Sequence, residues 1–294
     1  KFLNFSKSEI YKNFHLKFFT KTQKNFCGKI ENNLFINTRL GEFYIDKSLF
    51  IKEFLEEKEK NISISLPKNF GKFLGLNLLK EFLEIKNDGN LNNLKNLFSG
   101  GKFFPQKKNE IFEVFPPLKI SAEKNFMNFY LGKFPVIFLD LKINEPIKNF
   151  ENFFNFFKFS ISKIFAEKNY LIKSNLFTKE EKEFFDKIEF SHFAENLKIE
   201  EIEKSLIFLC DLLLRFHNEK NFVFFYGIDS IFYNTYISRF LNFEEKMKIF
   251  LFMKNFLRNF YSKDFLYKKS LLMNELPISN ENFVKEIFEE NKEN

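Results

Sequence analysis

Short apolar or alternating runs bounded by polar and turn residues recur four times along the chain, at 62–66, 136–141, 222–228 and 270–273, and each predicts a β-strand. Between them the period changes. Apolar residues at Leu49, Phe50, Phe54 and Leu55, and again at Leu74, Leu78, Leu79 and Phe82, place one apolar face on helices over 49–57 and 73–85. The same spacing predicts helices over 148–165, 202–216 and 243–261. Strands that alternate with helices imply an α/β protein whose parallel sheet is flanked by helices on both faces. The Glu- and Lys-rich stretch 167–204 has no strand signal and reads as part of a helical insertion over 150–204, whereas Pro105 and the Pro116-Pro117 pair mark an irregular connection. The expected organisation is an N-terminal segment over 1–40, one domain over 41–280, and a C-terminal helical tail over 281–294. The longest apolar run, 206–216, is broken by Asp211 and Arg215, so no membrane-spanning helix is expected.

Composition changes this picture in one respect. The 294 residues include 49 Phe and 9 Tyr but no Trp, and arginine is confined to Arg39, Arg215, Arg239 and Arg258, leaving lysine to carry nearly all the positive charge. Phe, Lys and Asn each have a codon built only from A and T. Their joint excess therefore points to mutation pressure in a very AT-rich genome, such as that of an obligate parasite or endosymbiont, and the aromatic content is mostly compositional. With 45% hydrophobic against 29% charged residues, the chain can bury a core.

The formal charge of +7 is spread among acidic residues without long like-charge runs, as on a solvated surface. Interleaved Phe and Lys over 148–163 and 254–261 recur at helical spacing and read as core positions rather than base-stacking platforms. Electrostatic docking onto RNA or a ribosome surface suits the lysines better, since phosphate contacts need no base reading. Cys27 and Cys210 make neither a disulfide framework nor a structural zinc site, so a reducing, cytoplasmic compartment is expected; Lys1 in place of Met leaves a removed signal open. His15, His192 and His217 lack metal or triad spacing, Glu56-Glu57 and Glu180-Glu181 read as helical surface carboxylates, and Cys210 as core.

One segment carries chemistry. The first strand runs into Pro67-Lys68-Asn69-Phe70-Gly71-Lys72-Phe73 and then directly into a helix. A strand, a Gly-Lys loop and a helix form the setting of a phosphate-binding loop: backbone N–H groups surround the phosphates, the lysine reaches the terminal ones, and a Ser or Thr hydroxyl ligates magnesium. Gly71 and Lys72 fill two of these roles, but Phe73 offers no oxygen and Leu66 stands where the pattern opens with glycine. Such ATPases also end a second strand in an acidic residue that holds magnesium, often followed by a water-activating glutamate. In 222–229 those two positions are Tyr226 and Gly227, and Asp229 follows, able to reach a cation only if the strand end bends. Asp140, after the 136–141 run, suits either a ligand-binding crevice at a strand end or a simple turn.

The ordered blocks resemble the AAA-ATPase-like family, P-loop ATPases often fused to a PD-(D/E)XK nuclease-like domain. Phe43-Tyr44-Ile45-Asp46-Lys47-Ser48 is similar to the family's Tyr-Val-Asp-Lys-Thr block. Pro67 through Phe73 resembles its Pro-Arg-Arg-Phe-Gly-Lys-Thr loop, and Gly132-Lys133-Phe134-Pro135-Val136-Ile137 its Gly-Lys-Tyr-Pro-Val-Ile block. The 222–229 run resembles the strand ending Ile-Asp-Glu-Tyr-Asp, with Tyr226 for the first Asp, Gly227 for the Glu and Asp229 for the last Asp; Met273 and Asn274 stand where the family has Thr-Gly. The resemblance spans 42–274 and implies a P-loop NTPase-like sheet in the order 62–66, 270–273, 222–228, 136–141, with the first and third of these as core strands. The nuclease-like domain is not expected here, since few residues follow Asn274.

Phosphoryl transfer relies on charge neutralisation around magnesium-bound phosphates, and each lost contact of that kind lowers the rate by about 100- to 1000-fold. The expectation is a catalytically inactive pseudo-ATPase acting as a scaffold or interaction protein, with a vestigial nucleotide site at Phe70, Gly71, Lys72 and Phe73, a vestigial acidic strand end at Tyr226, Gly227 and Asp229, no metal, and a protein or ribonucleoprotein partner. Two alternatives stand beside it: an ATP- and magnesium-binding ATPase or switch using Lys72 with Asp229 or Asp140 as substitute ligands, and a lysine-rich RNA- or ribosome-associated factor.

Overall fold

A computed structural model describes residues 34–39, 44–86, 91–104, 113–191 and 197–276. His15, Cys27, Pro105, His192 and the tail expected over 281–294 lie outside the described residues. In chain order the elements are α1 (Leu34–Arg39), α2 (Leu49–Glu56), β1 (Asn61–Ser65), α3 (Lys72–Leu83), α4 (Leu91–Ser99), β2 (Gly101–Phe103), β3 (Glu113–Phe115), α5 (Lys124–Tyr130), β4 (Val136–Asp140), α6 (Phe150–Glu167), α7 (Lys179–Glu189), α8 (Ile199–His217), β5 (Asn221–Tyr226), α9 (Ile228–Ile237), α10 (Phe243–Ser262) and β6 (Tyr267–Asn274).

The main sheet is parallel throughout, in the order β1-β6-β5-β4, with helices on both faces: an α/β fold of the coarse P-loop-like type. Alternation along β5 explains its unbroken apolar run. Phe222 and Phe224 enter the core beneath α1 to α5, while Val223 and Phe225 enter the core beneath α6 to α10, so both faces must be apolar. The order matches the expected one, but β1 lies at the edge rather than in the core. Its Ser63 and Ser65 alternate with Ile62 and Ile64, so this edge strand has one apolar and one polar face.

The third strand is shorter than its apolar pattern. It stops at Tyr226; Gly227 takes a left-handed conformation (φ 75°), and Ile228 begins α9, which the apolar run had concealed. The Pro-rich connection contains a small antiparallel pair, with Gly101 to Phe103 aligned against Phe115 to Glu113. Asn-rich residues form α4, whose Leu94, Leu97 and Phe98 are buried; tertiary burial there overrides weak helix propensity. Over 150–204, α6 packs on β4 and on α8 and α10, and α7 packs against α6. No helix of the described residues is long and apolar enough to cross a membrane.

Candidate functional site

Parallel pairing brings four strand ends to one edge of the sheet. There Leu66 N donates to Asn274 O (3.0 Å), Gly227 N to Met273 O (3.1 Å) and Leu141 N to Tyr226 O (2.9 Å), so the loops after all four strands are laced together. This carboxyl edge, where open α/β sheets hold ligands, gathers most of the residues singled out above.

The loop after β1 makes its turn through two left-handed residues, Asn69 (φ 64°) and Gly71 (φ 73°), and Gly71 is the N-cap of α3 without a side-chain cap. Lys72 is only 4% exposed. Its Nζ folds back to donate to Leu66 O (2.8 Å) and Pro67 O (2.7 Å), and lies 3.9 Å from Glu275 Oε1. Burial pulls the Lys72 pKa below the ordinary lysine range, with Glu275 opposing that shift. Phe70 projects outward from the same loop, 37% exposed.

Phe73 turns inward. Its ring centroid lies 5.2 Å from that of Tyr226 and 5.5 Å from that of Phe138, both on the sheet face beneath α3. The two residues that the family resemblance aligns with a hydroxyl and an acid, Phe73 and Tyr226, are thus rings in mutual contact. The Tyr226 hydroxyl is 3.5 Å from Lys142 Nζ, which also donates to Glu275 Oε1 (2.9 Å). Burial raises the Tyr226 pKa, opposed by Lys142. For Glu275, burial is outweighed by Lys142 and Lys72, so its carboxyl stays below the usual range.

Gly227, where the water-activating glutamate would stand, has no room for a side chain. A Cβ there would lie 2.8 Å from Lys142 Cα and 3.0 Å from Lys142 N, both backbone atoms, in a left-handed conformation as well. Asp229 is 5% exposed in the first turn of α9, and its Oδ2 accepts the backbone N–H of Glu275 (2.9 Å) and of Leu276 (2.9 Å). Asn274 Nδ2 donates to the other oxygen, Asp229 Oδ1, at 3.1 Å. The bend that would aim Asp229 at a cation is present, since it lies in a helix, yet its carboxylate closes the end of β6 instead. Asp140 ends β4 exposed, its Oδ1 accepting Lys142 N (3.0 Å) in a turn; burial of part of the group raises its pKa.

Two members of this cluster, Lys142 and Glu275, carry no motif. Their only signal is position, each following the carboxyl end of a strand, and charge at such places is common. The other candidates stay apart. His217 pairs with Tyr170 Oη (2.9 Å), and burial, with Lys168 adding to it, lowers its pKa to about 4. Cys210 is buried in α8, its thiol pushed well above the ordinary value. Glu181 forms the capping box of α7 with Thr178. Among the described residues no cluster of three or more His, Cys, Asp or Glu is placed to hold a metal.

Beside the loop lies a cavity of about 220 Å³ between α2, α3 and the edge strand β1. Gly71 and Lys72 border it, and Tyr44, Ile45 and Lys47 of the first sequence block contribute to its wall. Comparison of the chain with protein-family models, with curated proteins and with solved structures finds no match.

Proposed function

We propose that this chain is a non-catalytic pseudo-ATPase of AAA-ATPase-like ancestry that serves as a scaffold or interaction protein, in the cytoplasm and with a protein or ribonucleoprotein partner. The observation that carries this reading is the contact between Phe73 and Tyr226. Two magnesium-ligand positions replaced independently would leave two unrelated losses. Here the replacements pack on one another, which converts a hydrated metal site into apolar core. Gly227 supports the same reading, because the backbone of Lys142 closes the position of the activating glutamate. Asp229 supports it too, with its Oδ2 accepting two main-chain N–H groups.

The test measures ATP hydrolysis by the purified chain with and without magnesium, beside the double variant Phe73→Thr/Tyr226→Asp. The expected result is no turnover in either, since the double variant restores two ligand types while Gly227 stays closed. Magnesium-dependent hydrolysis by the natural chain that disappears in Lys72→Ala would refute the reading. A second reading, nucleotide binding without turnover, is favoured by the cavity bordering Gly71 and Lys72. Calorimetry with ATP and magnesium separates the two: saturable binding weakened by Lys72→Ala supports the switch-like alternative.

A further inference from the structure

We propose that the exposed apolar face of α9 and α10 is the docking surface for the chain's own C-terminal residues 281–290, bound in cis. The inference does not rest on the absence of catalysis.

The face comes first. α9 is apolar nearly all round: Ile228 and Ile231 enter the core, while Tyr233, 49% exposed, and Ile237 lie at the surface. A helix apolar on every side is ordinarily enclosed. Phe240, 66% exposed, follows α9 closely, and Phe243 and Leu251 of α10 are exposed as well. The rings of Phe232 on α9 and Phe250 on α10, both half-buried, stack at 5.9 Å between centroids and join the two helices. Large apolar side chains gathered in this way mark a docking surface, whereas single ones need no explanation.

The occupant follows from where the chain leaves the sheet. After β6 ends at Asn274, Glu275 N and Leu276 N both donate to Asp229 Oδ2 (2.9 Å each), and Ser65 Oγ donates to Leu276 O (3.3 Å). Asp229 heads the same side of α9 as the exposed residues: at about 100° per residue, Tyr233 lies about 40° and Ile237 about 80° from it around the helix, within about 12 Å along the axis. The chain is thus fixed at the head of the apolar face. Six residues, 277–282, span up to about 20 Å when extended, enough for Phe283 to reach any side chain of α9. In the sequence, Phe283, Val284, Ile287 and Phe288 recur at helical spacing, which gives the segment one apolar stripe. Glu281, Glu286, Glu289 and Glu290 outnumber Lys285 and make it acidic in a chain of net charge +7, and Arg239 is exposed between Ile237 and Phe240. An amphipathic segment laid with its stripe on α9 and α10 and its carboxylates toward Arg239 satisfies both patterns. The short connection also sets its effective concentration on the order of millimolar, which favours docking in cis over a second copy.

The experiment uses the full chain with one tryptophan placed on the face by Tyr233→Trp; the natural sequence has none, so the emission reports that site alone. Its emission is expected at shorter wavelength, and its quenching by acrylamide to be slower, than in the same chain carrying Phe283→Ser and Ile287→Ser, which interrupt the apolar stripe of the tail. Both differences are expected at every protein concentration. If Tyr233→Trp does not fold, Ile237→Trp reports from the same face. Emission that ignores the two serine substitutions overturns the proposal. A dependence on protein concentration overturns docking in cis and assigns the face to a second copy. Phe129→Trp on α5, in the opposite layer, is expected to emit alike with either tail; a change there as large as at 233 overturns the proposal, because the substitutions would then act on the whole fold. Arg239→Glu is expected to speed quenching at 233 by setting like charges together, and no change overturns the role given to charge. Failure of the pseudo-ATPase reading would appear as ATP turnover and leaves these outcomes unaffected.

Discussion

If Phe73 and Tyr226 act as one packed unit, their removal must be non-additive. The perturbation is a cycle of Phe73→Leu, Tyr226→Leu and the double variant, which keeps apolar bulk and removes the ring pair. Phe73 is half-buried and touches two rings, at 5.2 Å and 5.5 Å between centroids. Such pairs contribute about 0.5–1.5 kcal/mol each beyond burial, so Phe73→Leu should cost about 1–2 kcal/mol and the coupling to Tyr226 should be about 1 kcal/mol. Tyr226 also meets Lys142, so Tyr226→Phe, which keeps the ring and removes the hydroxyl, isolates that polar part. Urea unfolding followed by circular dichroism and tyrosine fluorescence gives the energies; with no tryptophan in the chain, tyrosine emission is not masked. A coupling below about 0.3 kcal/mol, the ordinary error of additivity, would mean that the rings are neighbours without being partners. Phe73 and Tyr226 would then not be compensating replacements.

Two further contacts have measurable outcomes. Asp229→Asn removes the charge that holds Glu275 and Leu276 through their N–H groups, and should cost about 1–3 kcal/mol with faster hydrogen exchange at those two amides; unchanged exchange would show the contact to be dispensable. At the far end of α3, burial raises the cost of ionising Glu84, yet Lys168, Lys80 and Lys86 outweigh it and hold its pKa at about 2, against an ordinary 4.5. A depressed folded-state pKa stabilises the fold above pH 4.5 and the benefit is lost as pH falls toward 2. Glu84→Gln should therefore cost about 3 kcal/mol near neutrality, and the unfolding curves of the two proteins should converge in acid; parallel curves would contradict the assignment.

Sequence periodicity alone determined the alternation of strands and helices. Both signals are local: the pleat reverses every residue, the helix turns every 3.6, and the apolar pattern must follow whichever the backbone adopts. It failed where one signal conceals another. The buried β5 and the start of α9 form one apolar run, and only the left-handed turn at Gly227 separates them. In α4 the Asn-rich surface hid a helix held by Leu94, Leu97 and Phe98.

The sequence also limits what position 73 can do, because a phenylalanine there has no oxygen to offer in any fold. What stands in its place was a tertiary decision. Phe73, Phe138 and Tyr226 are far apart in the chain, and only the parallel register that aligns Asp140 with Tyr226, and Tyr226 with Met273, brings them under the start of α3. The same register places Glu275 between Lys72 and Lys142, and places the Lys142 backbone against Gly227. Residue type limits what a position can do chemically, whereas contacts between distant strands exist only once the sheet has set their spacing.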